Sequence, residues 1–189
     1  MLNLLLVASE IDSATLEKVL TNGGVNTVRV EHSLSFIPLV KEIHPDAVVF
    51  NLDTPSEQLL ADLIMLNRQS PLPMIMFATD GSNATIHKVI QAEVSEYVVD
   101  GLDYHRINTI IQIAIARFKH QQMLKNALHD ARTQLEDRKM VDRAKAILIN
   151  TQNFTENEAY HTLRKLAMDR NITLGQMARN VISMAELLK

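Results

Sequence analysis

The sequence predicts an α/β protein: a doubly wound, five-stranded parallel sheet followed by a long coiled-coil helix and a small three-helix all-α module. Three observations lead to this fold class. Short apolar runs alternate five times with segments of helical spacing over roughly the first 105 residues. No Gly or Pro stands between Asp103 and Asn150. Two capping-box sequences, which begin at Thr155 and Thr173, follow that stretch and each predicts a helix start.

The strands of the first domain, residues 1–104, are predicted from continuous apolar runs, which are typical of strands buried on both faces of a parallel sheet. They lie at Asn3–Ala8, Val28–Glu31, Asp46–Leu52, Met74–Ala78 and Glu96–Val99. The helices between them are predicted at Asp12–Thr21, at Leu34–Ile43 with an interruption at Pro38, at Leu59–Asn67 and at Ile86–Glu93. In this architecture we expect the functional site at the carboxyl ends of the strands.

A helical stalk is predicted over residues 105–138. Its first part carries an apolar stripe that should close the core of the front domain, at Ile107, Ile110, Ile111, Ala114 and Phe118. The stripe continues with spacings of three and four residues at Leu124, Leu128, Ala131 and Leu135. Such a stripe on a polar helix favours a parallel coiled-coil homodimer. The alternative is packing onto the rear module, since Arg117 and Gln121 interrupt the heptads.

The rear module, residues 135–189, is predicted to contain three helices, the first being the end of the stalk. The rear part of the chain also differs from the front part in net charge. Residues 1–116 contain 6 Lys and Arg against 14 Asp and Glu, a balance of −8, whereas residues 117–189 contain 13 against 8, a balance of +5. A basic rear half is the electrostatic footprint expected for contact with a polyanion.

Composition excludes several classes of protein. The chain is 47% hydrophobic and contains no Cys, which excludes a disulfide framework, a thiolate metal site and thiol catalysis. The N-terminal residues lack the basic start of a secretory signal, and no apolar run is long enough to span a membrane. We expect a cytoplasmic protein. The seven His show no metal-ligand spacing, and the sequence contains no recognisable catalytic constellation, so we expect neither an enzyme nor a bound cofactor or metal.

The front domain resembles the receiver domain of bacterial response regulators. The order of its elements carries the resemblance, together with Pro45-Asp46 before the third strand and Pro55 after it. The resemblance implies a phosphoryl-transfer pocket built from two acids, an acceptor Asp, a Ser or Thr and a Lys, each placed after a strand. At these positions this sequence has Ser9 and Glu10, then Asn51, then Ala78 or Thr79, and finally Asp100.

This set of residues predicts a pseudo-receiver that is switched by something other than phosphate. The amide of Asn51 cannot accept a phosphoryl group as a carboxylate does, and Asp100 places an anion where a cation should balance the phosphate. Asp53 keeps a carboxylate close to the site. It is interpreted either as a loop carboxylate with satisfied hydrogen bonds or as a residue that binds a cation or is phosphorylated.

The rear module resembles the ANTAR family, the RNA-binding antitermination modules of AmiR- and NasT-like regulators. The matching residues are Leu135-Glu-Asp-Arg-Lys, Arg143-Ala-Lys, Glu158-Ala-Tyr, Leu163-Arg-Lys-Leu-Ala-Met and the positions Leu174, Ala178 and Val181-Ile182. An ANTAR module behind a degenerate receiver is the layout of NasT-like proteins, which Asp53-Thr-Pro and Tyr97-Val-Val-Asp-Gly-Leu also resemble. The resemblance implies binding to paired hairpins in the leader of a nascent mRNA, which prevents a terminator from forming.

The residues expected to contact RNA are the cations and one aromatic residue of this module. They are Arg138, Lys139, Arg143, Lys145, Tyr160, Arg164, Lys165 and Arg170. Cations would bind phosphates, and the ring of Tyr160 would stack on a base. For Tyr160 the alternative is core packing with the hydroxyl at the surface. For Arg138 and Lys139 the alternative is that both lie on a solvated face of the coiled coil.

The resemblance to NasT-like regulators also implies partners. These are leader mRNA hairpins, a NasS-like sensor protein that binds nitrate or nitrite, and a second copy of the chain. The regulated genes would then be those of nitrate assimilation, with an amide sensor as the AmiR-like variant. Two other classes remain open: a DNA-binding response regulator, and a signalling adaptor that does not bind nucleic acid. The last helix, which starts at Leu174, carries few cations, and this disfavours entry into a DNA major groove.

Overall fold

A computed structural model describes residues 2–8, 10–31, 36–100 and 105–187, with the side chains of residues 10–15 left out of the description. The chain divides into two compact units, Met1–Gln122 and Met123–Lys189. In chain order the elements are β1 (Leu2–Ala8), α1 (Glu10–Asn22), β2 (Val25–Glu31), α2 (Ile37–Ile43), β3 (Ala47–Asn51), α3 (Glu57–Gln69), β4 (Met74–Ala78), α4 (Asn83–Gln91), β5 (Glu96–Val99), α5 (Ile107–Gln152), α6 (Glu156–Asp169) and α7 (Leu174–Leu187).

The front unit is the predicted doubly wound sheet. Its five strands are all parallel and lie in the order β2-β1-β3-β4-β5, which places the topological switch point between β1 and β3. One apolar cluster covers each face of the sheet. The beginning of α5 belongs to one of them, where Ile107, Ile111 and Ala114 are buried, as the stripe predicts. The predicted fold class is therefore confirmed.

Several helix starts differ from the predicted ones because caps decide them. The side chain of Ser56 accepts a hydrogen bond from the Leu59 amide and starts α3 at Glu57. Ser82 does the same for the Thr85 amide, and α4 starts at Asn83, three residues before the predicted start. Pro38 does not interrupt α2. It lies in the first turn of that helix, where its missing N–H costs nothing.

The rear unit contains the end of α5 together with α6 and α7. Its core consists of buried Ala144 from α5, Leu163 and Ala167 from α6, and Met177, Ala178 and Ile182 from α7. Both predicted capping boxes are present. The Thr155 hydroxyl oxygen accepts a hydrogen bond from the Glu158 amide, and the Glu158 carboxylate accepts one from the Thr155 amide. Thr173 and Gln176 exchange equivalent bonds at the start of α7.

Candidate nucleic-acid interface

The degenerate pocket of the front unit lies at the carboxyl edge of the sheet. Asn51, the last residue of β3, pairs in register with Ala8 on one side and Phe77 on the other, and it is 8% exposed. The Asp53 carbonyl accepts hydrogen bonds from the Thr79 amide at 3.1 Å and from the Thr79 hydroxyl at 3.1 Å. Asp100 follows β5 with a φ of 49°. The sheet thus brings Asn51, Asp53, Thr79 and Asp100 to one edge.

Glu10, the remaining member of this pocket, begins α1, but its side chain lies outside the described residues, as does Ser9. No group of His, Asp or Glu that could hold a metal ion occurs among the described residues. The Asp53 side chain is exposed. What the described part of the pocket presents is therefore an amide and two exposed carboxylates without a balancing cation.

Beside this pocket the structure shows a network that the sequence reasoning missed. The Asp80 carboxylate accepts hydrogen bonds from the Thr85 hydroxyl at 2.6 Å and from the Ser82 amide at 2.8 Å, and these bonds hold the pKa of Asp80 below its usual value. The Tyr97 hydroxyl donates to the Asp80 carbonyl at 2.6 Å. Burial, and secondly the charge of Asp80, raises the pKa of Tyr97. The spacing of Asp80, Ser82 and Thr85 around the start of α4 is a sequence signal for this network.

In the rear unit a cleft of about 450 Å³ opens between α5, α6 and the start of α7. We call it the α5–α6–α7 cleft. It is lined by Asp137, Arg138, Val141, Asp142, Lys145, Tyr160, Thr173, Leu174 and Gly175. Three of the eight residues predicted to contact RNA, Arg138, Lys145 and Tyr160, therefore share one concave surface. The side chain of Tyr160 is 38% exposed, although Ala159 beside it is fully buried.

Lys145 is held in this cleft by two carboxylates. Its ammonium nitrogen lies 2.8 Å from Asp142 Oδ1 and 3.0 Å from Glu156 Oε1, and its side chain is only 17% exposed. The hydrogen bond to Asp142, and secondly that to Glu156, raises the pKa of Lys145. Lys145 is thus fixed in position and partly neutralised. Its partner Glu156 comes from the next helix, so the sequence motif alone did not reveal the pairing.

The floor of the cleft joins α5 to α7. Arg179 Nη2 donates to Asp137 Oδ1 at 2.6 Å, and the Asp137 carboxylate also lies against the backbone of Gly175 at the N-terminus of α7. A carboxylate at a helix N-terminus is favoured by the helix dipole. Asp137 and Arg179 therefore fix the first turns of α7 against α5, and they were not singled out from the sequence.

The remaining predicted cations of α5 lie on a different side of the helix. Arg143 pairs with Glu186 of α7, with 2.7 Å between Nη2 and Oε1. It lines a separate, more apolar groove of about 600 Å³ between the ends of α5 and α7. Lys139 is exposed, and the helical repeat of 100° per residue places it on the side of Arg143 and away from Arg138 and Lys145. The structure thus divides the predicted α5 residues between two sides.

On α6 the predicted residues are also divided. Arg164 is exposed and lies one turn after Tyr160, so the two side chains share a side of the helix. Lys165, also exposed, points to the side opposite buried Leu163. Arg170 is the exposed C-cap residue of α6. Arg164 therefore extends the surface of the cleft, whereas Lys165 lies away from it.

The stalk stripe is exposed in the single chain. Leu124, Leu128 and Leu135 are 58%, 54% and 56% exposed, and they contribute to no described core. The alternative in which the rear module covers this stripe does not agree with these exposures. An apolar row of this length on an exposed helix marks a contact surface.

Comparison with known families identifies the rear of the chain. Residues 129–182, which contain the whole cleft and the core of the rear unit, match the ANTAR domain. The rear of the chain therefore carries a match to the ANTAR domain. The front unit has the receiver-like fold, and the segment that matches the ANTAR domain contains the residues of the α5–α6–α7 cleft.

Curated proteins that are similar to this chain are named as regulatory proteins. The transcriptional regulatory protein PdtaR of Mycobacterium tuberculosis is 24% identical over 142 residues, which are 75% of this chain and 69% of the relative. The nitrate regulatory protein of Klebsiella oxytoca is 35% identical over 66 residues. That match covers 35% of this chain and only 17% of the Klebsiella protein, so it is local.

Solved structures show the same fold for the front of the chain. The chemotaxis protein CheY4 of Vibrio cholerae matches 60% of this chain and 98% of its own, with a TM-score of 0.53 and 14% identity. NtrX of Brucella abortus matches 67% of this chain and 29% of its own, with a TM-score of 0.54 and 20% identity. Across the described residues, no helix combines the length and the apolar character needed to cross a membrane.

Proposed function

We propose that this chain is a transcription antiterminator whose ANTAR domain binds paired hairpins in the leader of a nascent mRNA. The observation that carries the proposal is the α5–α6–α7 cleft, in which the partly exposed Tyr160 and two cations, Arg138 and Lys145, line one concave surface beside the carboxylates of Asp137 and Asp142. Proteins read RNA loops by stacking splayed bases on aromatic rings and by binding the adjacent phosphates. Binding would stabilise the hairpins, prevent the competing terminator and let transcription continue into the operon.

The volume of the cleft and the position of its aromatic ring fit a loop nucleotide. A volume of about 450 Å³ is within the range of small-ligand sites, and Tyr160 stands at its edge with Arg164 one turn away. On the opposite wall, which α5 forms, Arg138 offers an exposed cation for a phosphate, and Lys145, paired with Asp142 and Glu156, offers a partly neutralised one. Because Asp142 and Glu156 already hold Lys145, its ammonium group is positioned before RNA binds, and little side-chain entropy is lost on binding.

A pair of hairpins calls for two ANTAR domains, and we propose that the chain pairs through its exposed stalk stripe. With Leu124 and Ala131 at d positions and Leu128 and Leu135 at a positions, the e positions are Lys125, Arg132 and Lys139. An antiparallel pair would place these cations against each other, whereas a parallel pair avoids this repulsion. Two linked binding sites then engage two linked hairpins with a gain from effective concentration.

The front unit is proposed to be a docking surface for a sensor protein rather than a phosphate switch. Asn51 and Asp100 stand where phosphoryl transfer needs a carboxylate and a cation, so another signal must control the protein. The local similarity to a nitrate regulatory protein supports nitrate or nitrite as that signal, bound by a NasS-like partner, and nitrate assimilation genes as the target.

The proposal is tested by titrating the protein against a single leader hairpin, with a loop-scrambled hairpin and duplex DNA as competitors at the same salt concentration. We expect loop-selective binding that the double change Arg138→Gln and Arg164→Gln weakens by at least tenfold, since each cation–phosphate contact contributes on the order of 1 kcal/mol. Lys18→Gln with Lys41→Gln, two exposed cations of the front unit, serves as the matched control. Equal binding to scrambled RNA and duplex DNA would contradict the proposal and favour a DNA-binding regulator, and no binding would favour an adaptor.

A further inference from the structure

The side of α5 that faces away from the cleft carries a row of cations. Lys125, Arg132 and Lys139 follow each other at intervals of seven residues, and Arg143 stands four residues further on. Residues seven apart on an α-helix differ by only about 20° in direction, so the four side chains project from one side of the helix. All four are exposed. We call them the basic row. Every member lies within the rear unit, Met123–Lys189.

Most acidic residues in this part of α5 lie on other sides of the helix than the basic row. Asp130 and Asp137 are also seven residues apart, and the helical repeat places them on the side away from the basic row. Glu136 is the acid on the same side as the row, and Arg143 is in part neutralised by Glu186. Among the described residues, neither Arg132 nor Lys139 forms an ion pair, with Glu136 or with another acid, so these two members of the row most clearly offer charge to a partner.

Pairing of two stalks would leave the row without acidic partners across the seam. In a parallel coiled coil a residue at an e position faces the residue five positions earlier in the partner helix. Arg132 would face Ala127 and Lys139 would face Gln134, so neither gains a carboxylate. Natural coiled coils commonly place acids there to form interhelical ion pairs. Their absence at these two positions leaves the charge for another ligand.

We propose that the basic row binds the phosphates of the single-stranded RNA that joins the two hairpins. This inference rests on the proposed function, because it extends the ANTAR–RNA contact from the hairpin loop to the linker. The ligand follows from charge complementarity and proximity, since the row of exposed cations reaches the turns of α5 that line the α5–α6–α7 cleft on the other side of the helix. A phosphate backbone repeats its charge along its length, as the row does.

The experiment compares two RNAs: a leader with both hairpins and their natural linker, and one isolated hairpin. Dissociation constants are measured over a range of salt concentrations for the wild type, for Arg132→Gln with Lys139→Gln, and for the control Lys18→Gln with Lys41→Gln. Glutamine keeps the helix and removes only the charge. Sedimentation velocity on the same samples checks that the variants have the oligomeric state of the wild type.

We expect the row variant to reduce the slope of log K against log salt by about 1.4 on the linked RNA, roughly 0.7 for each lost single-strand phosphate contact. On the isolated hairpin its slope should equal that of the wild type. An unchanged slope on the linked RNA, or an equal reduction on both RNAs, would overturn the inference while leaving hairpin binding intact. If the wild type does not bind the isolated hairpin, the proposed function itself fails, and this inference fails with it.

Discussion

Gly175 lies so close to Asp137 that a Cβ atom at residue 175 would collide with the Asp137 carboxylate. This contact brings the start of α7 against α5, and the Arg179–Asp137 ion pair of 2.6 Å extends it by one turn. The floor of the α5–α6–α7 cleft thus depends on a residue without a side chain. Glycine is used here for close approach, since it is otherwise unfavourable near the start of a helix.

Gly175→Ala should therefore displace the Asp137 carboxylate and weaken its ion pair with Arg179, which should destabilise the packing of α7 on α5 by about 1 kcal/mol. Hydrogen exchange of the amides of α7 measures the loss. Asn180→Ala, at an exposed position of the same helix, is the control and should change little. Adding Asp137→Ala to Gly175→Ala removes the collision, so the two changes should not add. Full protection of α7 in Gly175→Ala would contradict the expectation.

The stability of the α6 start should depend on pH through Glu158. The backbone hydrogen bond from Thr155, and secondly its hydroxyl, lowers the pKa of Glu158. A carboxylate with a lowered pKa in the folded state stabilises that state above its unfolded pKa, and the contribution disappears as pH falls through the folded value. Protection of the first turn of α6 should therefore decrease as the pH falls below about 4.5.

Glu158→Gln separates this effect from general acid unfolding. The glutamine side chain can still accept the Thr155 amide bond, but it does not titrate in this range. We expect the variant to lose the local pH dependence of amide exchange at the start of α6. Amide exchange in α4, which serves as the internal control, should depend on pH as it does in the wild type. An identical pH profile in the variant and the wild type would show that Glu158 is not the titrating group.

The altered pocket of the front unit predicts that a small phosphodonor will not modify the protein. Asn51 places an amide where the receiver resemblance expects the acceptor carboxylate, and exposed Asp100 adds negative charge after β5. Intact mass spectrometry after incubation with acetyl phosphate and Mg²⁺ should show unmodified chain. A phosphorylated species that disappears in Asp53→Asn would contradict this prediction and assign the acceptor to Asp53.

The sequence predicts the type of each helix and strand better than it predicts where each one ends. The bounds of β4 and β5 agree with the apolar runs, and α5 continues unbroken from Ile107 to Gln152, as the lack of Gly and Pro predicts. The early start of α4 depends on one capping hydroxyl, Ser82, which periodicity alone does not detect. Element type follows from local pattern, whereas element ends depend on single hydrogen bonds.

The candidate site is less predictable, because its charges are set by distant residues. Arg143 was predicted from the motif as an RNA contact, but Glu186, 43 positions away, pairs with it. Lys145 is likewise positioned by Glu156 from the next helix. The motif identifies which residue types are present, and the packing of three helices decides which of them share a surface. The spacing of the basic row is visible in the sequence, whereas the cleft, which joins residues of three helices, becomes visible only in the fold.

Tyr160 distinguishes RNA stacking from structural packing. Its ring is 38% exposed at the edge of the cleft and meets His161 edge-on at 6.0 Å between ring centroids. If a loop base stacks on the ring, Tyr160→Ala should weaken hairpin binding by about 1–3 kcal/mol, which is roughly 5- to 150-fold. Tyr160→Phe keeps the ring and should bind nearly as the wild type does.

The two interpretations of Tyr160, RNA stacking and structural packing, predict different effects of Tyr160→Ala on the protein without RNA. Because the ring is partly exposed and the core below it is formed by Ala159 and Leu163, we expect only a small loss of helix protection in the absence of RNA. Hydrogen exchange of α6 measures that loss, and titration with the isolated hairpin measures affinity. A large loss of protection with unchanged affinity would assign Tyr160 to packing, and the cleft would then need another residue to stack on the base.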